Sequence, residues 1–246
     1  MSFAKKNNPL IHFTTAFFVV EAIIGVFMHT TQGKIPIYLK FSSVVLVCLF
    51  CIIFAEKSYS YIFTQSALVF TVISDYFLVL GVVDNKALAM FFFSFAQICY
   101  FFRLYFEENN AFIRKIHLIV RISACALLLP ITALVLGESC DALALISMFY
   151  YANLVINAVF AYIRFKSSPL LAIGLTLFIL CDTVIGITAM SSYLPIDKTS
   201  LLYRIIHPGF DLAWAFYLPS QALLSASLLP ARLEKKRREN AQKYEI

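Results

Sequence analysis

Asp75 and Asp182 each stand inside an apolar run long enough to cross a bilayer, the first from Ser66 to Leu80 and the second from Leu170 to Gly186. A carboxylate at membrane depth costs ~2.5–3.5 kcal/mol on insertion scales. Such a residue faces a protein interior or a water-filled cavity and has a task there. Two of them on separate helices make an acid/base pair: one carboxyl gives a proton while its ionised partner stabilises a cation or activates water. The competing reading is structural, with either aspartate pairing to Arg121, Lys40 or Asn157 on another helix.

Further polar side chains interrupt the apolar runs. Gln97 and Tyr100 share a helical face, and Asp211, Trp214, Leu218 and Gln221 keep helical spacing on another. Either set could orient a polar headgroup, or simply hydrogen-bond between helices. Asn153 and Asn157 read as such interhelix glue. Glu21 is as anomalous in depth as Asp182, but no motif accompanies it. The four histidines form no metal-ligand spacing. There is no nucleophile elbow and no P-loop, so the chemistry calls for no metal and no cofactor. Five of the six cysteines lie in apolar runs, which argues for buried small hydrophobes over a disulfide framework.

The elements that must position these groups can be read from composition. The chain is 61% hydrophobic and 14% charged, far below the charge of a soluble domain, so it is an all-α, polytopic bundle. Apolar runs of spanning length occur at 10–30, 37–55, 60–80, 87–106, 114–136, 142–164, 170–193 and 203–229. They predict eight transmembrane helices in one domain over 1–231, with a basic tail after them at 232–246. Short breaks between the runs make sequential helices antiparallel neighbours. With the N-terminus inside, the cytoplasmic side carries fourteen Lys and Arg against five outside, which supports N-in and C-in. The net charge of +6 comes largely from tail residues Arg232, Lys235, Lys236, Arg237, Arg238 and Lys243. That cluster suits anionic lipid headgroups, so the partners are membrane lipids and not nucleic acid. The location is an integral, multi-pass one, in the cell membrane or, in a eukaryote, the endoplasmic reticulum.

Helix rise then places Asp75 about 22 Å, and Asp182 and Asp211 about 18 Å, from the cytoplasmic edge. Gln97 comes out near mid-depth, so four polar groups share one slab. The order of features also recurs four helices later. Ser74-Asp75 then Gln97 and Tyr100 is matched by Cys181-Asp182 then Tyr217 and Gln221, which points to a 4+4 parallel half-repeat with a site between the halves.

The ordered set Ser-Asp-Tyr-Phe-Leu at 74–78, Phe-Ser-Phe-Ala-Gln-Ile-Cys-Tyr at 93–100, Leu-Cys-Asp-Thr-Val-Ile-Gly at 180–186 and Trp-Ala-Phe-Tyr-Leu-Pro-Ser-Gln at 214–221 resembles the YhhN family of lysoplasmalogenases. The resemblance implies an integral membrane ether hydrolase that cleaves the vinyl-ether bond of a lysophospholipid-type substrate. The products would be a fatty aldehyde and glycerophospho-ethanolamine or -choline. It implies catalytic roles for Asp75 and Asp182, and equates Lys40 with the lysine that opens the family's second helix. Lys40, Gln97, Tyr100, Asp211, Trp214 and Gln221 are the expected substrate contacts. The chain departs from the family pattern at Ser74, where glycine is usual, at Gln97, where histidine is usual, and at Phe41, where a proline usually comes after the lysine. The alternative function is a non-enzymatic transporter or lipid-binding protein whose aspartates bind protons or a cation.

Overall fold

The computed structural model describes residues 9–54, 58–81, 85–190, 199–206 and 209–229. The described residues are helical almost throughout: α1 (Pro9–Thr30), α2 (Ile35–Phe54), α3 (Tyr59–Leu78), α4 (Lys86–Glu107), α5 (Ala111–Leu136), α6 (Ala142–Ile163), α7 (Pro169–Met190), α8 (Leu201–Ile206) and α9 (Leu212–Ala226). A chain inside hydrocarbon must satisfy its own backbone, and the helix does so within one segment. The polar breaks supply the caps. Ser58, Asn85, Asn110, Asp141 and Asp211 each accept a backbone N–H from the first turn of the next helix.

Among the described residues seven helices, α1 to α7, are long and apolar enough to cross a membrane. Large apolar side chains such as Val26, Ile122, Leu127, Leu134 and Val135 lie exposed on α1 and α5, where lipid in place of water makes that exposure favourable. The protein is a multi-pass membrane protein. The run at 203–229 differs from the expected single helix: it is divided between α8 and α9. Gly209, at φ 88°, turns the chain between them, and Asp211 starts a new helix by capping it. The 15 residues of α9 extend about 22 Å, short of a hydrocarbon core of about 30 Å. The basic tail at 232–246 lies outside the described residues.

Six helices close on one another in the order α2, α3, α4, α6, α7, α9 and back to α2. Outside this ring, α1 packs on α2 and α9, while α5 packs on α6 and reaches α4 through Arg121 and His117 on Phe101. The most intimate pairs are α3 with α4 and α7 with α9. Small residues permit both approaches. Ala67, Ala89 and Ala96 are fully buried, and Ser74 Oγ donates to the Ala89 carbonyl at 2.6 Å. In the second pair Ser220 Oγ donates to the Gly174 carbonyl at 2.8 Å.

At one end of the ring Arg103, 1% exposed, ties three helices together. Its Nη1 donates to Thr64 Oγ1 of α3 at 2.9 Å and to Ser227 Oγ, just past α9, at 2.6 Å. Its Nε donates to Glu107 at 3.2 Å, which also faces Arg164 at 3.8 Å.

A Cβ on Gly174 would stand 2.9 Å from Leu224 Cγ and 3.3 Å from the Leu224 backbone nitrogen. The obstacle includes backbone, so α7 and α9 would have to separate. Gly174→Val is expected to cost about 1–3 kcal/mol by overpacking, read as a lower thermal midpoint in detergent. Adding Leu224→Ala should recover only part of the loss. A wild-type midpoint for Gly174→Val would show that the pair is not tightly packed there.

Candidate functional site

Asp75 is one turn from the end of α3, and Asp182 is in the second half of α7. Each carboxylate accepts a hydrogen bond from a phenol on another helix. Tyr217 of α9 donates to Asp75 Oδ2 at 2.6 Å, and Tyr150 of α6 donates to Asp182 Oδ2. Asp75 is 2% exposed, whereas Asp182 is half-buried. Neither pairs with Arg121, Lys40 or Asn157; a neutral phenol answers each acid.

Phe178 lies between the two phenols. It is fully buried, and its ring meets Tyr217 edge-on at 5.4 Å and Tyr150 at 6.3 Å. Phe93 of α4 completes the group, 5.5 Å from Tyr150 and 6.0 Å from Phe178. Two acids on helices of one ring thus border a shared aromatic interior.

Above Asp75 the site continues toward the α2 N-terminus. Phe41 packs on Tyr76 at 6.2 Å, which brings Lys40 to the level of the carboxylates. Lys40 Nζ bonds Asp211 Oδ2 at 2.6 Å and lies 5.2 Å over the Trp214 ring. Trp214 in turn stands edge-on to Tyr217 at 4.8 Å. Lys40, Asp211, Trp214, Tyr217 and Asp75 therefore form a continuous chain of contacts. Asp211 is a cap and an ion-pair partner here, not a member of a helix interior.

Gln97, Tyr100 and Gln221 are elsewhere, so the single slab expected from helix rise divides into two tiers. The Ser74–Ala89 bond aligns Asp75 with the first turn of α4, and Gln97 is eight residues further along, about 12 Å by helix rise. The expected depths were measured from the ends of apolar runs, and side-chain bonds between helices set a different register. Tyr100 and Gln97 are fully buried and Gln221 is 1% exposed.

A second polar cluster supports this lower tier. Arg121 of α5 donates to Asn153 Oδ1 and, at 2.6 Å, to Asn157 Oδ1. It also lies 3.1 Å from His117 Nε2 and 4.3 Å over the Phe101 ring. Asn157 Nδ2 then donates to Gln97 Oε1 at 3.1 Å and to the Gln97 carbonyl at 2.8 Å. The asparagines are interhelix glue as expected, and what they hold is an arginine. Glu21 accepts from Ser43 Oγ of α2 at 2.6 Å.

The sequence matches the YhhN family over residues 35–228, most of the chain. The chain belongs to the YhhN family. All six ring helices of this YhhN protein fall within the matched span, whereas α1 precedes it. No curated protein and no solved structure matches the chain.

Tyr150 was not singled out in the sequence, and Tyr217 only as part of a recurring order. Their signal was a tyrosine inside an apolar helix, where a hydroxyl needs a partner. The Arg121 cluster had a clearer one: His117 and Arg121 are four apart, as are Asn153 and Asn157, which puts each pair on one helix face.

Removing either phenol leaves a carboxylate oxygen without its donor. Tyr217→Phe and Tyr150→Phe are each expected to destabilise the YhhN fold by about 1–3 kcal/mol, measured as unfolding in detergent. Unchanged stability in both variants would mean that the phenols do not hold the acids.

Proposed function

We propose that this protein is a membrane-embedded hydrolase resembling lysoplasmalogenase, cleaving the vinyl-ether bond of lysoplasmalogens with Asp75 and Asp182. The observation that carries the reading is the pair of phenol-held carboxylates whose two phenols both pack on Phe178. Family membership is compatible with it.

Vinyl-ether hydrolysis asks for two acids and nothing else from the protein. One carboxyl delivers a proton to the β-carbon of R–CH=CH–O–R′, and the C=C electron pair forms the new C–H bond. The positive charge falls on the α-carbon and ether oxygen as an oxocarbenium ion, which the other carboxylate stabilises. That carboxylate then takes a proton from water as the water oxygen bonds the α-carbon. The hemiacetal R–CH₂–CH(OH)–O–R′ loses its hydroxyl proton, the C–O bond breaks toward R′, and the leaving oxygen takes a proton. The products are R–CH₂–CHO and HO–R′, and the sum consumes one water. Tyr150 and Tyr217 fix the carboxyl groups so that the proton and the charge meet the same two carbons.

The Lys40–Asp211 pair beside Trp214 suits a zwitterionic headgroup. A phosphate takes the ammonium of Lys40, and an ethanolamine or choline cation takes Asp211 and the indole face. The aromatic and aliphatic walls of the ring suit the alkenyl chain. In this reading the eight apolar runs lie across the membrane with both termini inside. The two four-helix halves meet at the acids, and the Lys40 end faces away from the cytoplasm. A second reading, a proton- or cation-coupled transporter, draws on the break between α8 and α9 next to the site, since broken helices mark transport sites.

Purified protein in nanodiscs is expected to release fatty aldehyde from a vinyl-ether lysolipid. Asp75→Asn and Asp182→Asn should each lower kcat by ~10²–10⁴-fold, the usual worth of a general acid or base. Lys40→Met should raise KM for zwitterionic lysolipids with a smaller change in kcat. Wild-type silence, or full activity in both aspartate variants, sinks the hydrolase. Proton flux in liposomes without product would favour the transporter.

A further inference from the structure

We propose that Gln97, Tyr100 and Gln221 form a water-binding site that supplies the hydrolytic water, and that Arg121 is its positioning residue. This rests on the hydrolase reading for the fate of the water, and on geometry alone for the site.

Four polar atoms on these three side chains meet no protein partner: Gln97 Nε2, Tyr100 OH, and both Nε2 and Oε1 of Gln221. All three residues are at most 1% exposed. Between membrane-spanning helices no bulk solvent satisfies such groups. Buried polar atoms of native proteins are answered by protein or by ordered water.

The interhelix bonds place the two amides at one level. Thr64 and Ser227 share Arg103, and Asp75 meets Tyr217 eleven residues along α3 and ten residues back along α9. So α3 and α9 are antiparallel, as are α3 and α4, which makes α4 and α9 parallel. Arg103 binds Ser227 directly, and six residues earlier on each helix stand Gln97 and Gln221. They face one level about 9 Å from that bond by helix rise. Tyr100 is one turn from Gln97 on the same face of α4 and is fully buried.

Polarity then identifies the ligand. Arg121 only donates, so it fixes the Asn157 oxygen toward itself and turns the Asn157 NH₂ to Gln97 Oε1. Gln97 is thereby left presenting a donor. Tyr100 can give or take a proton, and Gln221 offers one donor and one acceptor. Arg103 is already committed to Thr64, Ser227 and Glu107. A phosphate carries charge and only accepts, so it finds an opposing amide oxygen and no uncommitted cation on these side chains. Water both gives and takes, and matches the mixed set. By helix rise Gln221 stands about 6 Å from the level of Tyr217 and Gln97 about 12 Å from that of Ala89, and in this proposal water moves along the ring interior between the two levels.

Hydroxyl-radical footprinting tests the site without turnover. Brief X-ray irradiation of the wild-type protein in nanodiscs makes radicals from bound water, and mass spectrometry reads where oxygen is added. Tyr100 should be labelled although it is buried, while Phe50, buried against Phe17 between α1 and α2, is not. Gln221→Leu should lower Tyr100 labelling at least fivefold and kcat at least tenfold, with KM for the lipid within twofold. Arg121→Gln should act in the same direction through Asn157. An unlabelled Tyr100 in the wild type overturns the proposal, whatever the activity. A raised KM with unchanged kcat in Gln221→Leu also overturns it, since these side chains would then be lipid contacts. Labelled Tyr100 without aldehyde release leaves the water site standing and removes the hydrolase.

Discussion

A carboxyl group between membrane-spanning helices has no hydration shell, and the architecture around Asp75 and Asp182 answers that constraint. Each takes a phenol from a different helix of the ring, so four helices, α3, α6, α7 and α9, must keep their relative heights for both bonds to persist. Neutral donors suit the purpose. A cation at the same place would neutralise the acid as a salt bridge, whereas a phenol orients it and leaves its proton available for exchange. Among the described residues, Arg103, Lys40 and Arg121 accordingly stand at the ring's ends or outside it. Arg103 ties the end of α4 to α3 and α9, Lys40 meets Asp211, and Arg121 is on α5 behind neutral amides.

Much of this architecture was legible in the sequence. Apolar runs bounded by Ser58, Asn85, Asn110 and Asp141 give the helices, because each of those residues caps the next one. Two aspartates far inside such runs stand out through the cost of placing them there. The partners of the acids were less visible, because a tyrosine in an apolar helix packs equally well as an aromatic or as a donor. Register was not legible at all. It depends on bonds such as Ser74 to Ala89 and Arg103 to Ser227, which join residues far apart in sequence. The division of the last run has a local signal in the Pro208-Gly209 dipeptide, a turn pair that the apolar residues on either side outweigh when the run is read by hydropathy alone.

The departures from the family pattern have local physical counterparts. Ser74, where glycine is usual, spends its hydroxyl on the Ala89 carbonyl, so a side chain is accommodated at the tight α3–α4 crossing by hydrogen bonding it. Phe41, where proline is usual, packs on Tyr76 beside the acid. Gln97, where histidine is usual, is buried and oriented by Asn157. An amide does not titrate near neutral pH as an imidazole does, so in this chain Gln97 keeps one polarity across that range.

The close contact of Gly174 with Leu224, together with the Ser220 bond, makes α7 and α9 a single mechanical body. That body carries Asp182, Phe178, Tyr217 and Trp214. The α3–α4 pair, joined through Ser74 and Ala89, carries Asp75 and Phe93. The acids thus belong to two jaws, which Arg103 and Ser227 join at one end and which meet at the acids through the Tyr217–Asp75 bond and the Phe93–Phe178 contact. In the proposed hydrolase, an alkenyl chain wide enough to part them beside the acids would release Asp75 from its phenol in the same motion, so the substrate's own girth would arm the acid.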